Sequence, residues 1–146
     1  MGNLFNGAVE RNYALILDDD EAACGLMARM AAAAGFDVQI AMDRPQFIEK
    51  YMYCAPTIVV LDLFLGNEDV LPVFDFLKHQ LNRGPVILVT GYNLRELAEI
   101  TTQARGAGLM VVGAIQKNRN FQQLQQLLGA HYIGARSITA AAANTI

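Results

Sequence analysis

The sequence predicts an α/β fold in which five parallel strands form one doubly wound sheet with helices on both faces. Short apolar runs alternate five times with stretches of helical periodicity along the chain. Apolar runs of this length are typical of buried parallel strands, and the amphipathic stretches between them supply the crossover helices. Because such crossovers are right-handed, the alternation favours a single sheet covered on both sides.

Four of the five predicted strands are short, mainly apolar segments. The first is an uninterrupted apolar run, Tyr13–Leu17, and the third ends at Asp62. The second alternates apolar and polar residues, which indicates a strand nearer the sheet edge. The five predicted strands cover residues 13–17, 36–40, 57–62, 85–90 and 109–116.

The predicted helices carry start and stop signals as well as apolar stripes. Asp20 precedes the first helix as a candidate N-cap, and Gly35 follows it as a C-terminal stop. The periodicity of the third helix places Phe74, Leu77 and Leu81 on one face. The five predicted helices cover residues 21–34, 43–53, 70–81, 94–104 and 121–128.

These elements predict one domain at residues 13–129, with a leader at 1–12 and a C-terminal tail or linker at 130–146. A chain of 146 residues can bury a proper core, and a composition of 53% hydrophobic and 17% charged residues argues against disorder. The net charge of −3 gives no electrostatic footprint for nucleic acid or an anionic membrane. We therefore expect neither as a direct partner.

The two cysteines and the absence of export signals predict a cytoplasmic protein. Cys24 and Cys54 fall in predicted helices without metal-ligand spacing, so we expect buried, reduced thiols rather than a disulfide. No apolar stretch approaches membrane-spanning length, and no secretory pattern opens the chain.

Polar side chains stand at the carboxyl ends of four predicted strands. Asp18 and Asp19 follow the first strand, and Asp62 ends the third. Thr90 ends the fourth strand, and Lys117 follows the fifth. In an open α/β sheet the carboxyl ends of neighbouring strands share one crevice, where ligands bind. The sequence therefore predicts an acidic site that also contains a hydroxyl and an ammonium group.

These residue types suit Mg²⁺ and phosphoryl transfer. Mg²⁺ prefers hard oxygen ligands and keeps several waters, so we expect Asp19 and Asp62 as direct ligands and Asp18 as a ligand through water. A carboxylate can attack phosphorus to form an acyl phosphate, and Asp62 is the candidate nucleophile. Lys117 and the metal would stabilise the charge on the transferring group. Thr90 would donate its hydroxyl to the new phosphoryl group.

The order of these residues, each at the end of its own predicted strand, resembles the signature of response-regulator receiver domains of two-component signalling, of the chemotaxis-regulator-like type. The residues are Asp18-Asp19, Asp62, Thr90 and Lys117. The resemblance covers about residues 13–129. It implies the flavodoxin-like (βα)5 receiver fold and a phosphorelay in which Asp62 takes a phosphoryl group from a sensor histidine kinase or phosphotransfer protein. It also implies the backbone carbonyl of Phe64 as a further metal ligand.

The resemblance further implies how the domain would signal. Phosphorylation adds charge and hydrogen-bond acceptors, Thr90 moves toward them, and the face formed by helix four, strand five and helix five repacks. The switch candidates are Thr90, Tyr92 and Ala114. The implied partners are an output domain or partner protein and a possible second copy of the chain. Such a domain catalyses its own phosphorylation from phosphohistidine without multiple turnover, which leaves its status as an enzyme open.

The chain departs from the family pattern near the predicted lysine. Receivers usually have a cis-bonded proline directly after it, whereas Asn118 follows Lys117 here, so we expect this loop to be either trans or strained. Ala114 occupies the position of the usual aromatic switch residue, and Tyr92 is the candidate substitute. The long segment between Thr90 and Lys117 resembles receivers attached to EAL-type cyclic-di-GMP phosphodiesterase domains.

Two other functions remain open from the sequence. The altered residues Asn118 and Ala114 are compatible with a degenerate, non-phosphorylated receiver-fold module for docking or dimerisation. A haloacid-dehalogenase-like phosphatase fits the acidic run after the first strand, but Ala22 stands where that family has Thr or Val. Asp62 would also be idle in that scheme, and no Asp or Glu follows Lys117 to supply the expected acidic pair.

Overall fold

The computed structural model describes residues 12–65, 69–91 and 94–133, and their elements alternate as the sequence predicts. The strands are β1 (Tyr13–Leu17), β2 (Asp37–Ala41), β3 (Ile58–Asp62), β4 (Pro85–Thr90) and β5 (Met110–Gln116). The helices are α1 (Glu21–Ala34), α2 (Arg44–Cys54), α3 (Leu71–His79), α4 (Leu94–Gly106) and α5 (Gln123–Ala130).

The strands form one parallel sheet in the order β2-β1-β3-β4-β5. The predicted five-stranded, doubly wound sheet is therefore confirmed. The order reverses between β1 and β3, which is where an open α/β sheet opens its ligand crevice at the carboxyl ends of the strands. Strand β2 lies at one edge with partly exposed residues, as its alternating pattern predicts.

Two hydrophobic clusters hold the helices against opposite faces of the sheet. Successive strand residues point to opposite faces, so Ile16 of β1 belongs to one cluster and Leu17 to the other. Helices α1 and α5 cover the first face through residues such as Met27 and Leu124. Helices α2, α3 and α4 cover the second face, where Phe47 is fully buried. This packing on both sides fixes the strand ends that carry the site.

The ends of α1 follow the sequence signals. The carboxylate of Asp20 accepts hydrogen bonds from the backbone N–H groups of Ala22 and Ala23, at 3.0 and 3.4 Å, which confirms its role as N-cap. Gly35 ends the helix with φ of +110°, a left-handed conformation that favours glycine. The ring of Tyr132 lies against it, 3.0 Å from where a Cβ would stand.

The end of α3 differs from the prediction. The helix stops at His79, and Leu81 lies beyond it, 72% exposed, rather than on the buried face with Phe74 and Leu77. Leu81 adopts a φ of +54°, and its N–H donates to the Lys78 carbonyl while the chain turns toward β4. The sequence has no glycine directly after His79 to mark the end of the helix, and its apolar spacing continues to Leu81. The pattern therefore predicted a helix that is too long. The prediction for Leu81 was therefore wrong.

Cys24 and Cys54 are both buried and free, as expected. Most of the predicted leader and tail lies outside the described residues. Within the part of the chain that the structure describes, no helix combines the length and apolarity needed to cross a membrane.

Candidate functional site

Four strand ends place the predicted site residues along one edge of the sheet. Asp18 follows β1 directly, Asp62 is the last residue of β3, and Thr90 is the last residue of β4. Lys117 follows β5, and its N–H donates to the Thr90 carbonyl at 2.8 Å. This bond extends the pairing of β4 and β5 past the end of the strand. The backbone of Lys117 is thereby held beside that of Thr90.

Three carboxylates converge in the crevice. Asp18 is fully buried, Asp62 is 4% exposed, and Asp19 is exposed to solvent. One oxygen from each lies within 4.8 Å of the others. Hard carboxylate oxygens, one of them open to solvent, are the donor set that Mg²⁺ takes while keeping waters of its own. The residues present therefore fit a divalent cation, whereas Asp20 is engaged as the N-cap of α1.

Lys117 reaches into this acidic group. Its Nζ donates to Asp18 Oδ2 at 2.6 Å and lies 3.6 Å from Asp62 Oδ2. The Lys117–Asn118 bond is trans, as are all peptide bonds in the described ranges. Of the two alternatives expected for this loop, the structure has the trans one. The ammonium group thus reaches the site from a trans loop, with Asn118 rather than proline after the lysine.

The charges at the site are not balanced by the protein alone. Burial and the negative charge of Asp18 raise the pKa of the Asp62 carboxyl from 3.8 to about 7. The Lys117 ammonium and a hydrogen bond from the Phe64 N–H, at 3.3 Å, oppose this rise. Burial alone would lower the pKa of Lys117, but its hydrogen bond with Asp18 and the charge of Asp62 raise it above its ordinary value. The arrangement therefore favours an added positive charge.

The turn after Lys117 is closed by a residue that sequence analysis did not single out. The N–H groups of Arg119 and Asn120 both donate to the Gln116 carbonyl, at 3.2 and 3.1 Å. The side chain of Asn120 accepts a hydrogen bond from the Gln116 N–H at 2.6 Å. A short polar residue directly before a predicted helix is a recognisable turn or cap signal. It did not by itself indicate a link back to the strand.

Cys24 also contacts the site. Its Sγ donates to the Asp18 backbone carbonyl at 3.1 Å from the first turns of α1. Burial, together with the charge of Asp18, raises the pKa of the Cys24 thiol to about 11. The thiol therefore stays protonated near neutral pH and supports the backbone that carries Asp18.

The remaining predicted site residues are Thr90, Phe64, Ala114 and Tyr92, and each lies in a different setting. Thr90 is 1% exposed at the strand end beside Lys117, and Phe64 is half-buried against the core. Ala114 lies within β5, paired with Leu88, two residues before the strand end. It lines a surface cavity of about 440 Å³ together with residues of α4. Tyr92 lies outside the described residues, so its assignment as a switch residue stays a prediction.

A family model and a curated relative match this chain. Residues 14–129 match the model of the response regulator receiver domain. The acid tolerance regulatory protein ActR of Sinorhizobium medicae is 36% identical over 78 residues, a match that covers 53% of this chain and 40% of ActR. The match therefore spans less than half the length of that relative.

Solved structures of response regulators have the same fold. One from Colwellia psychrerythraea is 25% identical and has a TM-score of 0.67, with 83% of this chain and 96% of that chain covered. One from Burkholderia pseudomallei, with a phosphorylated aspartic acid, a calcium ion and citrate, is 22% identical with a TM-score of 0.66 over 92% and 74% of the two chains.

A third similar structure is the response regulator TrrA of Thermotoga maritima in complex with Mg²⁺ and BeF. It is 17% identical, with a TM-score of 0.67 over 83% of this chain and 99% of that chain. The likeness of the Burkholderia and Thermotoga proteins, below 25% identity, shows the fold alone. The flavodoxin-like (βα)5 receiver fold predicted from the sequence is confirmed, whereas the resemblance to receivers attached to EAL domains stays a prediction.

Proposed function

Because this chain belongs to the family of response regulator receiver domains, we propose that Asp62 is the residue that accepts its phosphoryl group in a two-component phosphorelay. One observation carries the assignment. Asp62 is a buried carboxylate of the acidic group and lies 3.6 Å from the Lys117 ammonium, whereas the equally buried Asp18 is already hydrogen-bonded to that ammonium at 2.6 Å. A nucleophile needs this combination of fixed position and nearby positive charge.

The three aspartates would hold Mg²⁺. Asp19 and Asp62 are the proposed direct ligands, Asp18 is the proposed ligand through water, and the resemblance adds the Phe64 backbone carbonyl. When bound, the metal supplies positive charge that offsets the carboxylates and the oxygens of the incoming phosphoryl group. The raised pKa of Asp62 supports this assignment, because it reflects negative charge that the protein leaves uncompensated.

The residues of the chain have separate roles in the transfer. A carboxylate oxygen of Asp62 forms a bond to phosphorus while the phosphorus–nitrogen bond of the donor phosphohistidine breaks, and the electron pair returns to the imidazole. The Lys117 ammonium, already between Asp18 and Asp62, stabilises the charge on the transferring oxygens. Catalysis of this kind is positioning and electrostatic stabilisation, which rigid strand ends provide.

Thr90 would convert the new charge into a conformational signal. Its hydroxyl would donate to a phosphoryl oxygen, and the face formed by α4, β5 and α5 would repack. Ala114 is small and half-buried beside the cavity against α4, so the space for repacking lies within this face. The phosphorylated group biases the equilibrium only as far as it binds one packing better than the other.

The proposed partners follow from the family. A sensor histidine kinase or a phosphotransfer protein would donate the phosphoryl group, and an output domain or a partner protein would read the repacked face. A second copy of the chain is a further candidate partner. A degenerate docking module is less favoured, because Lys117 reaches the acidic group despite its altered loop.

Intact-mass spectrometry after incubation with acetyl phosphate and Mg²⁺ tests the assignment. We expect a phosphate-sized mass gain in the wild type that requires Mg²⁺ and is absent from Asp62→Asn. Asp75→Asn, an exposed aspartate on α3, is the matched control and should retain the gain. No gain in the wild type, under conditions that phosphorylate a known receiver, would instead support the docking module.

A further inference from the structure

The side chain of Asn120 links the two elements on either side of Lys117. Its Oδ1 accepts the N–H of Gln116, the last residue of β5, at 2.6 Å. Its Nδ2 donates to the side chain of Gln123, the first residue of α5, at 3.3 Å. Its carbonyl also accepts the Gln123 N–H at 2.9 Å. One asparagine therefore bridges the strand before Lys117 and the helix after it.

The turn that contains Lys117 has no proline to restrict it. The residues that follow the lysine are Asn118, Arg119 and Asn120, and the first two are exposed. The Lys117 N–H is fixed by the Thr90 carbonyl, and the backbone N–H groups of Arg119 and Asn120 close the turn onto the Gln116 carbonyl. The Asn120 side chain adds bonds to the Gln116 N–H and to the Gln123 side chain. These added bonds further reduce the number of conformations open to a trans turn that has no proline.

The position of the Lys117 ammonium depends on its backbone. The side chain must span from the end of β5 to the acidic group, where it lies 2.6 Å from Asp18 and 3.6 Å from Asp62. A small displacement of the turn would carry the ammonium out of hydrogen-bond range. Misplacement by about 1 Å can reduce a rate by roughly a hundredfold when a charge must meet a transition state.

We propose that Asn120 is a positioning residue that holds the Lys117 ammonium in the phosphoryl-transfer geometry. The proposal rests on the function proposed above. Asn118 stands where receivers usually have proline and does not restrict the turn. The bonds of Asn120 would restrict it instead. Asn120 acts through the backbone of Gln116 and through α5, and it does not itself contact the carboxylates.

The chemistry of the asparagine side chain makes the proposal specific. An amide both accepts and donates, whereas a carboxylate only accepts and alanine does neither. Asn120→Asp should keep the bond from the Gln116 N–H and lose the donor to Gln123. Asn120→Ala should lose both bonds. Asn118→Ala, an exposed asparagine in the same turn, is the matched control.

Phosphorylation rates with acetyl phosphate and Mg²⁺ test the functional part. We expect Asn120→Ala to lower the rate about tenfold, Asn120→Asp to lower it less, and Asn118→Ala to leave it within about twofold. In a Lys117→Ala background, Asn120→Ala should change the rate by less than about twofold, because a residue that acts through another loses its effect with it. The same tenfold loss in both backgrounds would overturn the proposal, since it would indicate a general loss of structure.

Amide hydrogen exchange, measured by nuclear magnetic resonance on metal-free protein, tests the structural part without any phosphoryl transfer. The Gln116 and Lys117 amides should exchange at least about tenfold faster in Asn120→Ala than in the wild type, with Asn120→Asp close to the wild type at Gln116. Unchanged exchange at both amides in a folded Asn120→Ala protein would overturn the proposal. If Asn120→Ala exchanges faster but the wild type takes up no phosphoryl group, the proposed function would be contradicted. Asn120 would then still be the residue that fixes the turn.

Discussion

At the scale of single residues, the site is defined by negative charge placed in a nearly buried position. Asp18 and Asp62 are almost completely removed from water, and the Lys117 ammonium lies 2.6 Å from the Asp18 carboxylate and 3.6 Å from that of Asp62. Burying a charge costs free energy unless it is paired. The clustered carboxylates therefore lower the stability of the metal-free fold, and the proposed cation would offset this cost.

The buried charge of Asp62 predicts how the substitution Asp62→Asn changes the stability of the domain in the presence of a metal chelator. The pKa of Asp62 is raised in the folded state to about 7, so folding favours its protonated form. The stability that the protonated Asp62 carboxyl contributes is therefore fully present below its ordinary pKa of 3.8. This contribution is lost as the pH rises through about 7. At pH 8 the substitution should stabilise the domain by on the order of 1 kcal/mol, because Lys117 keeps its bond to Asp18.

Urea denaturation of both proteins from pH 4 to pH 8 measures this difference. The gain in the free energy of unfolding should be small at pH 4 and grow toward pH 8. Asp75→Asn on the exposed face of α3 should show no comparable trend. An Asp62→Asn protein that is less stable than the wild type at pH 8 would contradict the charge account of the site.

At the scale of elements, helix ends show where sequence signals were sufficient and where they were not. Asp20 and Gly35 marked both ends of α1 because capping and left-handed stops have distinct residue preferences. The end of α3 carried no such signal, since Leu81 adopts a left-handed φ of +54° without being glycine. The turn geometry there is imposed by the path to β4, which local periodicity does not encode.

The conformation of Leu81 predicts that Leu81→Gly stabilises the domain. Its side chain is 72% exposed, so little burial is lost, whereas a left-handed non-glycine residue costs roughly 1 kcal/mol. Thermal unfolding followed by circular dichroism should show a Tm increase of a few degrees, about 2–6 °C. The neighbouring Gln80, with a φ of −79°, is the control.

Gln80→Gly should lower the Tm, because glycine there adds chain entropy without relieving any strain. Equal decreases for Gln80→Gly and Leu81→Gly would contradict the account of the α3 end.

At the scale of the whole molecule, the sequence predicted the sheet and the acidic edge well because both depend on short-range patterns. Apolar runs fixed the strands, and parallel pairing then brought Asp18, Asp62 and Thr90 to one edge. The sequence placed Lys117 at this edge as well, but its distances to Asp18 and Asp62 and the bonds of Asn120 were not predictable in the same way. They depend on the turn after β5, where Asn118 stands in place of the proline usual in the family.

Cation binding at this edge should stabilise the whole domain. A ligand that binds only the folded state adds free energy of unfolding, about 2.7 kcal/mol at a hundredfold excess over its dissociation constant. We therefore expect the Tm to rise with Mg²⁺ and to saturate. Asp19→Asn should weaken this rise with little effect on the metal-free Tm, because Asp19 is exposed. A Tm independent of Mg²⁺ would contradict the assignment of a metal site.

The central claim is that Asp62, among the clustered aspartates, receives the phosphoryl group. The most direct measurement is reduction of the phosphorylated protein with borohydride, which converts an acyl phosphate to homoserine, followed by peptide mass mapping. We expect homoserine at position 62 and unmodified aspartates at positions 18, 19 and 20. Homoserine at position 19 with an unmodified Asp62 would contradict the claim.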